Sequence, residues 1–224
     1  MSVKSFATRA RHAAARFWHE TRAVSLTEFA LILPIMLTLG LYGTEIARLA
    51  TTKMKISQIA LSLADNASRL GQTDNSGVTP TISEDGIDAV LDGAIRDGSA
   101  IGLEGNGRII LSSLEYSDFD DRQYIHWQRC KGDLDVDSNY GDDGVNNGLT
   151  GDQIDGMGSG ATQITALSGQ AVMFVEIEYQ YDPLFENPFG TGSRTIREEA
   201  AYLIRDDRNL GPGLTGGTTD SSCS

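Results

Sequence analysis

The sequence predicts an α+β fold in which a long N-terminal transmembrane helix continues into a small antiparallel-sheet domain. Three observations predict it: an apolar run long enough to cross a bilayer, a helical pattern that continues beyond that run, and four strand-like segments after it. The 224 residues leave room for one globular domain after a leader and a span. We expect five regions: a basic leader at 1–23, a transmembrane segment at 24–44, a helix extension at 45–70, a domain at 71–210 and a flexible tail at 211–224.

The predicted transmembrane segment centres on an apolar run from Phe29 to Thr44, which lies between Glu28 and Glu45 and contains no charged residue. Extended back to Val24, it is interrupted only by Glu28 and has the length that a membrane-spanning helix needs. The leader carries a net charge of +4, which favours a cytoplasmic N-terminus and an exported C-terminal part. A removed signal peptide is the competing interpretation, but charged residues follow the run where a cleavage site needs small ones.

The net charge of the chain limits the classes of partner that we expect it to bind. The whole chain carries −13, so the part after the +4 leader carries −17. Phosphate binding requires clustered Lys and Arg, and we therefore expect no nucleic-acid partner. Membrane lipid is the expected surrounding of the apolar run. An acidic surface suits solubility in a periplasmic or extracellular space.

The two cysteines, Cys130 and Cys223, both belong to the predicted exported part. An oxidising compartment permits a disulfide between them, which would tie the C-terminus to the domain. Two unpaired thiols are the alternative, because spacing along the chain does not establish proximity.

The helical pattern continues past Glu45, and neither proline nor glycine interrupts residues 45–70. A single helix over 25–70 would be about 65 Å long at 1.5 Å per residue. Its second half should offer an apolar stripe to the domain. That stripe consists of Ile46, Leu49, Ile56, Ile59, Leu63 and Leu70. A second, shorter helix is predicted over 81–97, beginning at Thr81 or Ser83.

Four segments rich in β-branched and aromatic residues predict the strands of an antiparallel sheet. They are residues 107–116, 123–130, 171–181 and 197–205. In the third, Glu176, Glu178 and Gln180 alternate with apolar residues, which predicts one wet face, and the dry face should pack on the long helix. Residues 131–170 are dominated by Gly, Asp, Asn, Ser and Thr and are expected to form a long surface loop with few anchors.

The residues that suggest chemistry do not combine into a catalytic or metal-binding motif. Asp133, Asp135 and Asp137 begin like a calcium loop, but Ser138 stands where that loop needs glycine and Gly144 where it needs glutamate. A solvated acidic loop is the prediction, and weak calcium binding is the alternative. The three histidines form no grouping in the sequence. We therefore expect no metal, no cofactor and no enzymatic activity.

Glu28 is the most informative single residue, because a carboxylate at membrane depth is costly and usually has a partner or a task. Its surroundings, Ser25-Leu-Thr-Glu-Phe-Ala-Leu-Ile-Leu-Pro34 followed by Gly43-x-Glu45-x-x-Arg48, resemble the N-terminus of the TadE-like pseudopilins of tight-adherence (Flp, type IVc) pilus systems. Segments 125–129 and 175–185 are similar to that family's outer domain over shorter stretches.

The resemblance implies a minor pseudopilin or pilus-assembly protein that acts by helix–helix association. It implies a single span in the bacterial inner membrane, with a cytoplasmic N-terminus and a periplasmic C-terminal domain. The implied partners are pilin and pseudopilin subunits, the pilus secretion platform and a prepilin peptidase. An uncleaved single-span membrane protein with a ligand-binding or envelope-sensing periplasmic domain is the alternative, and an anchored enzyme is a third hypothesis.

The resemblance also implies roles for individual residues. A prepilin peptidase would cut between Ala23 and Val24, making Glu28 the fifth residue of the mature chain, although pilins usually have glycine where this chain has Ala23. The Glu28 carboxylate would pair with the new amine of Val24 in a neighbouring copy, and Phe29 would belong to the same recognition element. A Glu28 side chain that reaches interfacial water is the alternative.

Overall fold

The computed structural model describes residues 21–71, 79–119, 121–143, 154–159, 163–185, 193–205, 208–218 and 221–223, with only the backbone described at 21–23. Residues 1–20 of the predicted leader and residues 72–77 of the loop predicted after the long helix lie outside the described residues. The chain forms two compact units, Met1–Arg48 and Leu49–Ser224.

The longest element is helix α1, Thr21–Arg69, which has 49 residues and contains Pro34. This confirms the predicted long N-terminal helix. Within the second unit, its buried side chains recur every three or four residues, which is the pattern of a helix with one face on a core. These side chains are Ile56, Ile59, Ala60, Leu63, Ala64 and Ala67.

Short elements connect α1 to the sheet. They are strand β1 (Ile82–Ser83), helix α2 (Glu84–Asp97), a 3₁₀ turn (Ser99–Ile101) and helix α3 (Leu103–Asn106). Helix α2 begins at Glu84 because the Ser83 hydroxyl accepts a hydrogen bond from the Gly86 N–H at 3.1 Å and so caps the first turn. Of the two predicted starting residues, Ser83 is the cap.

Within the described residues, a four-stranded antiparallel sheet has the order β3-β2-β4-β5. The strands are β2 (Gly107–Ser117), β3 (Arg122–Lys131), β4 (Ala171–Tyr181) and β5 (Arg194–Leu203). The predicted α+β class is confirmed. Strand β5 begins three residues earlier and ends two residues earlier than predicted, because it pairs with β4 from Tyr181 opposite Arg194 to Val172 opposite Leu203.

One face of the sheet packs with α1 and α2 in the main core. Alternate residues of β4 point into it, together with Ile109 and Leu111 of β2 and Trp127 of β3. The β4 residues are Ala171, Met173, Val175, Ile177, Tyr179 and Tyr181. This period of two is the pattern expected of a strand with one face on a core.

The opposite face of the sheet is not the wet surface that the alternation predicted. Val172 and Phe174 form a second core with Met157 and Ala166 of the long 131–170 loop. That loop also bridges to β3, where the Gln123 side chain exchanges two hydrogen bonds, of 2.8 and 2.9 Å, with the Ala166 backbone. A few apolar residues in a polar loop therefore cover a sheet face, and the expectation of a loop with few anchors is wrong for its described part.

The C-terminal segment also differs from the expected flexible tail. Strand β6 (Leu214–Thr215) pairs in parallel with β1, and the Cys130 N–H donates to the Ser221 carbonyl at 2.7 Å. The glycines allow this close packing: Gly217 has φ +98°, and a Cβ there would lie 2.6 Å from Asp85 Oδ1. The C-terminal segment therefore has a composition typical of disorder but forms a short strand that packs closely on the domain.

Candidate functional site

The first candidate site is the apolar part of α1 in the first unit. All its large apolar side chains between Val24 and Tyr42 are exposed, by 41 to 72 %. They are Val24, Leu26, Phe29, Leu31, Ile32, Leu33, Ile35, Met36, Leu37, Leu39, Leu41 and Tyr42. By length and composition α1 is a candidate membrane span. Exposed apolar surfaces of this extent are typical of membrane spans and of protein interfaces.

Three threonine hydroxyl groups in this segment are hydrogen-bonded within the helix. The hydroxyl groups of Thr27, Thr38 and Thr44 donate to the carbonyl groups of Val24, Pro34 and Leu41 at 2.7, 2.7 and 2.8 Å. A hydroxyl turned back to its own helix places no unpaired donor in an apolar medium, so these residues are compatible with lipid.

Glu28 and Phe29 are both exposed on this helix, and Phe29 has 63 % of its surface accessible. Among the described residues, no ion pair or side-chain hydrogen bond involves Glu28. The bond between Ala23 and Val24 lies within the helix, and the Ala23 side chain is outside the described residues.

The second unit brings Cys130 and Cys223 together in a disulfide with a Cα–Cα distance of 4.8 Å. The Arg108 guanidinium donates to the Cys223 carbonyl at 3.0 Å and to the Gly132 carbonyl at 2.9 Å. The bridge therefore fixes the C-terminal segment against β3 and the start of the long loop.

The acidic loop does not assemble a cation site in the part of the chain that the structure describes. No group of three or more His, Cys, Asp or Glu side chains there has metal-binding geometry. Asp143 instead accepts from the Gln128 N–H at 3.2 Å and lies 3.6 Å from the Arg129 guanidinium. Gly144, where a calcium loop needs glutamate, lies outside the described residues.

A buried polar cluster surrounds Glu115 on the main-core side of the sheet. Its carboxylate accepts from Ser113 at 2.8 Å and from Tyr124 at 3.3 Å, and lies 2.9 Å from His126 Nδ1. Burial, followed by the Glu115 charge, raises the pKa of Tyr124 to about 12. The adjoining cavity holds about 10 Å³, enough for about one water molecule, so the cluster has no space for a substrate.

A second polar cluster centres on Arg197, on the face that the long loop covers. Arg197 Nη2 lies 2.9 Å from the Glu176 carboxylate and also donates to Glu199. Ser138 and the Asn139 N–H, both from the loop, donate to Glu176, and the Tyr140 hydroxyl donates to Glu199 at 2.8 Å. Three consecutive loop residues are thus held by carboxylates of two strands.

The pKa values of the two carboxyl groups in this cluster, Glu176 and Glu199, shift in opposite directions. Burial raises the pKa of the Glu176 carboxyl, against the hydrogen bonds from the loop and the Arg197 charge. For Glu199 burial acts in the same direction, but the bonds from Ser159 and Tyr140 and the Arg197 charge outweigh it and lower the pKa. Burial, followed by the bond to Glu199, raises the pKa of Tyr140 to about 12.

Sequence analysis missed both clusters. The sequence indicates no grouping for His126 and predicts a wet face for Glu176. The signal for the Arg197 cluster was present in two neighbouring patterns, Glu-x-Glu on β4 and Arg-x-Glu on β5, which pair Glu176 with Glu199 and Glu178 with Arg197. The Glu115 cluster depends on a β-bulge between Ser113 and Leu114, which residue types do not reveal.

Comparison of the chain with protein families, curated proteins and solved structures finds no match. The fold places the chain among proteins with a small α+β domain and a helix that is a candidate membrane span.

Proposed function

We propose that this chain is a minor pseudopilin or pilus-assembly protein of a tight-adherence (Flp) type system, anchored by α1 in the inner membrane with its domain in the periplasm. The observation that carries the proposal is the exposed apolar segment of α1 with Glu28 at its start and no described partner for that carboxylate. Such a helix has apolar surface for its neighbours and one charge for them to neutralise.

The proposed work of the protein is association and not catalysis. Its partners are pilin and pseudopilin subunits, the secretion platform and, before assembly, a prepilin peptidase acting between Ala23 and Val24. The Glu28 carboxylate binds the Val24 amine of a neighbouring copy, because an unpaired charge in lipid is costly and an ion pair there is less so. Phe29 lies beside this pair and packs on the same neighbour.

A permanently anchored protein with a ligand-binding or envelope-sensing domain is the second candidate. Ala23, which stands where pilins usually have glycine, favours it because a peptidase specific for glycine would leave the leader attached. In that case α1 serves only as an anchor, and Glu28 has no neighbouring amine to bind.

Intact-mass analysis of the membrane-extracted protein, from cells with and without their prepilin peptidase, separates the two candidates. The pseudopilin proposal expects a peptidase-dependent start at Val24. A leader retained in both strains contradicts it and favours the permanent anchor.

A charge-removing pair of variants tests the role of Glu28. Glu28→Gln keeps the shape of the side chain, so we expect normal membrane insertion and loss of pilus assembly, measured by counting surface pili. Glu45→Gln is the matched control, since it removes the acid at the other end of the apolar run. Equal assembly by both variants and the wild type would leave Glu28 without the proposed role.

A further inference from the structure

Backbone hydrogen bonds and one covalent bond hold residues 214–223 of the C-terminal segment on the domain. The Glu84 N–H donates to the Gly216 carbonyl at 3.1 Å, and the Cys130 N–H donates to the Ser221 carbonyl at 2.7 Å. The segment therefore bonds both to the first turn of α2 and to the edge strand β3.

Apolar side chains add little to this attachment beyond Leu214. Residues 215–222 read Thr-Gly-Gly-Thr-Thr-Asp-Ser-Ser and contain no large apolar side chain. A backbone hydrogen bond contributes only modestly in net terms, because water replaces it when a segment opens. The disulfide between Cys130 and Cys223 is thus the main restraint that keeps this stretch closed.

The disulfide borders a cavity of about 420 Å³ that is lined by both cysteines. Asp137, Asp142 and Ser222 also line this cavity and are exposed, so the cavity reaches the surface. Cys223 is partly exposed, whereas Cys130 is 4 % exposed. Because access to the sulfur is one of the factors that set the rate of thiol–disulfide exchange, we expect an incoming thiolate to attack Cys223.

We propose that the Cys130–Cys223 disulfide is a redox-sensitive switch: its reduction by a protein dithiol lets residues 214–223 open while the sheet stays folded. The open segment uncovers the edge of β3 at Cys130 and the first turn of α2 at Glu84. Local opening without global unfolding is a property of segments with few buried apolar contacts. The proposal concerns the second unit alone and does not depend on the proposed pilus function.

The exchange proceeds in two steps. A thiolate of the reductant attacks the Cys223 sulfur, the bond to Cys130 breaks, and Cys130 leaves as a thiolate that takes up a proton. The second thiolate of the reductant then attacks the reductant sulfur of the mixed disulfide and releases Cys223, which is protonated in turn. The two thiols of the reductant are thereby oxidised to a disulfide, and two electrons and two protons pass to the cysteines of this chain.

Hydrogen exchange of the full chain in detergent, resolved at single amides before and after treatment with a reduced thioredoxin-type protein, tests the opening. We expect reduction to lower the protection of the Glu84 and Cys130 amides by about tenfold or more. In the reduced protein their protection should also be lower, by about tenfold or more, than that of Val175 in β4, which lies between two other strands. Protection that does not change on reduction, or that equals the protection of Val175, would overturn the proposal. The segment would then stay closed, or would open only with the whole domain.

Two neighbouring glycines of the segment provide matched variants that involve no thiol. Both have a positive φ, +61° at Gly216 and +98° at Gly217. A Cβ at Gly217 would lie 2.6 Å from Asp85 Oδ1, whereas a Cβ at Gly216 would meet nothing within 4 Å. In the reduced protein we expect Gly217→Ala to lower the protection of the Glu84 amide about tenfold more than Gly216→Ala does. Equal effects would overturn the proposed opening of the segment from α2.

Trapping the mixed disulfide identifies the sulfur that is attacked. A reductant whose second cysteine is replaced by serine completes only the first step, so it should remain linked to Cys223, as peptide mass analysis would show. Cys130→Ser/Cys223→Ser is the control: it should form no adduct, and its exchange pattern should match that of the reduced wild type with or without reductant. A link to Cys130, or no link at all, would overturn the proposed exchange.

Discussion

Helix α1 passes through two environments that differ in where their apolar surface is covered. Between Val24 and Tyr42 every large apolar side chain is exposed, whereas Ile56, Ile59 and Leu63 on the same helix are 2 % exposed or less. The second unit covers its part of the helix through the sheet and α2, whereas the apolar side chains at 24–42 are exposed among the described residues. Stability of the domain should therefore respond to substitutions in residues 49–224 and be insensitive to those at 24–42, which should change membrane association instead.

The largest expected effect on the domain comes from the disulfide. Cys130 and Cys223 are 93 residues apart in sequence, and a cross-link over a loop of that length contributes about 4.6 kcal/mol in the chain-entropy model. We expect Cys130→Ser/Cys223→Ser to lower the free energy of unfolding by about that amount. Urea denaturation in detergent, followed by Trp127 fluorescence in a Trp18→Phe background, measures it.

A reductant supplies the control for this variant. Treating the wild-type domain with dithiothreitol should lower its midpoint to that of the double variant and leave the double variant unchanged. If the double variant unfolds at the same urea concentration as the oxidised wild type, the C-terminal segment is held by its hydrogen bonds alone.

The second-largest expected effect is a difference in unfolding free energy between alanine variants of two leucines on α1, which differ in burial. Leu63 is 2 % exposed in the main core, and Leu61 is 47 % exposed. Leu63→Ala should destabilise the domain by about 3 kcal/mol through lost transfer energy and a cavity, and Leu61→Ala by less than about 0.5 kcal/mol. Urea denaturation of both variants measures the difference. Similar losses would mean that the helix face toward the core is assigned incorrectly.

The contrast between these two leucines also shows what the sequence could predict. Ile56, Ile59 and Leu63 recur at helical spacing and were assigned to the packed stripe, and the four strands were located because β-branched and aromatic residues mark them. Ile46 was assigned to the same stripe, yet it is 58 % exposed. Spacing identifies a helix face, but it does not tell where along the helix the domain begins.

Contacts that join distant segments could not be predicted from local pattern. Glycines in the C-terminal segment suggested disorder, whereas their backbone lies against β1 and Asp85. Glu176 alternates like a solvated residue and is 1 % exposed, because Ser138 and Asn139 of a distant loop cover it. Both outcomes depend on long-range packing, which overrides local propensity.

Arg208 lies at the C-terminal end of α1, where the last carbonyl groups of a helix lack the usual partners one turn ahead. The Ala67 carbonyl accepts from the Leu70 N–H at 3.3 Å. The Arg208 guanidinium donates to the carbonyl groups of Ala67, Ser68 and Leu70, and burial lowers its pKa to about 10, which leaves it charged at neutral pH. Arg208→Met should lower the free energy of unfolding by about 2 kcal/mol, because it leaves buried carbonyl groups unpaired. Thermal unfolding in detergent measures this loss.

Arg205 is the control for Arg208. It pairs with Asp65 at 2.8 Å, but its side chain is 48 % exposed, so Arg205→Met should cost less than about 1 kcal/mol. If the two arginine variants are equally stable, the bonds from Arg208 do not hold the end of α1.

The smallest expected effect is a change in pH dependence, and it separates Glu176 from its neighbour Glu199. The pKa of Glu176 is raised, so its contribution is fully present below the ordinary value of 4.5 and is lost as pH increases through the folded-state value. The pKa of Glu199 is lowered, so its contribution to stability is present above pH 4.5 and is lost as pH falls.

Urea denaturation between pH 3.5 and pH 7 should therefore show the stability of Glu176→Gln rising relative to the wild type as pH increases, and that of Glu199→Gln falling. Parallel curves for the two variants would contradict the opposed shifts and place both carboxylates in one environment. In that case the Glu176 carboxylate would not be buried beneath the long loop, and its bonds to Ser138 and Asn139 would not hold that loop on the sheet.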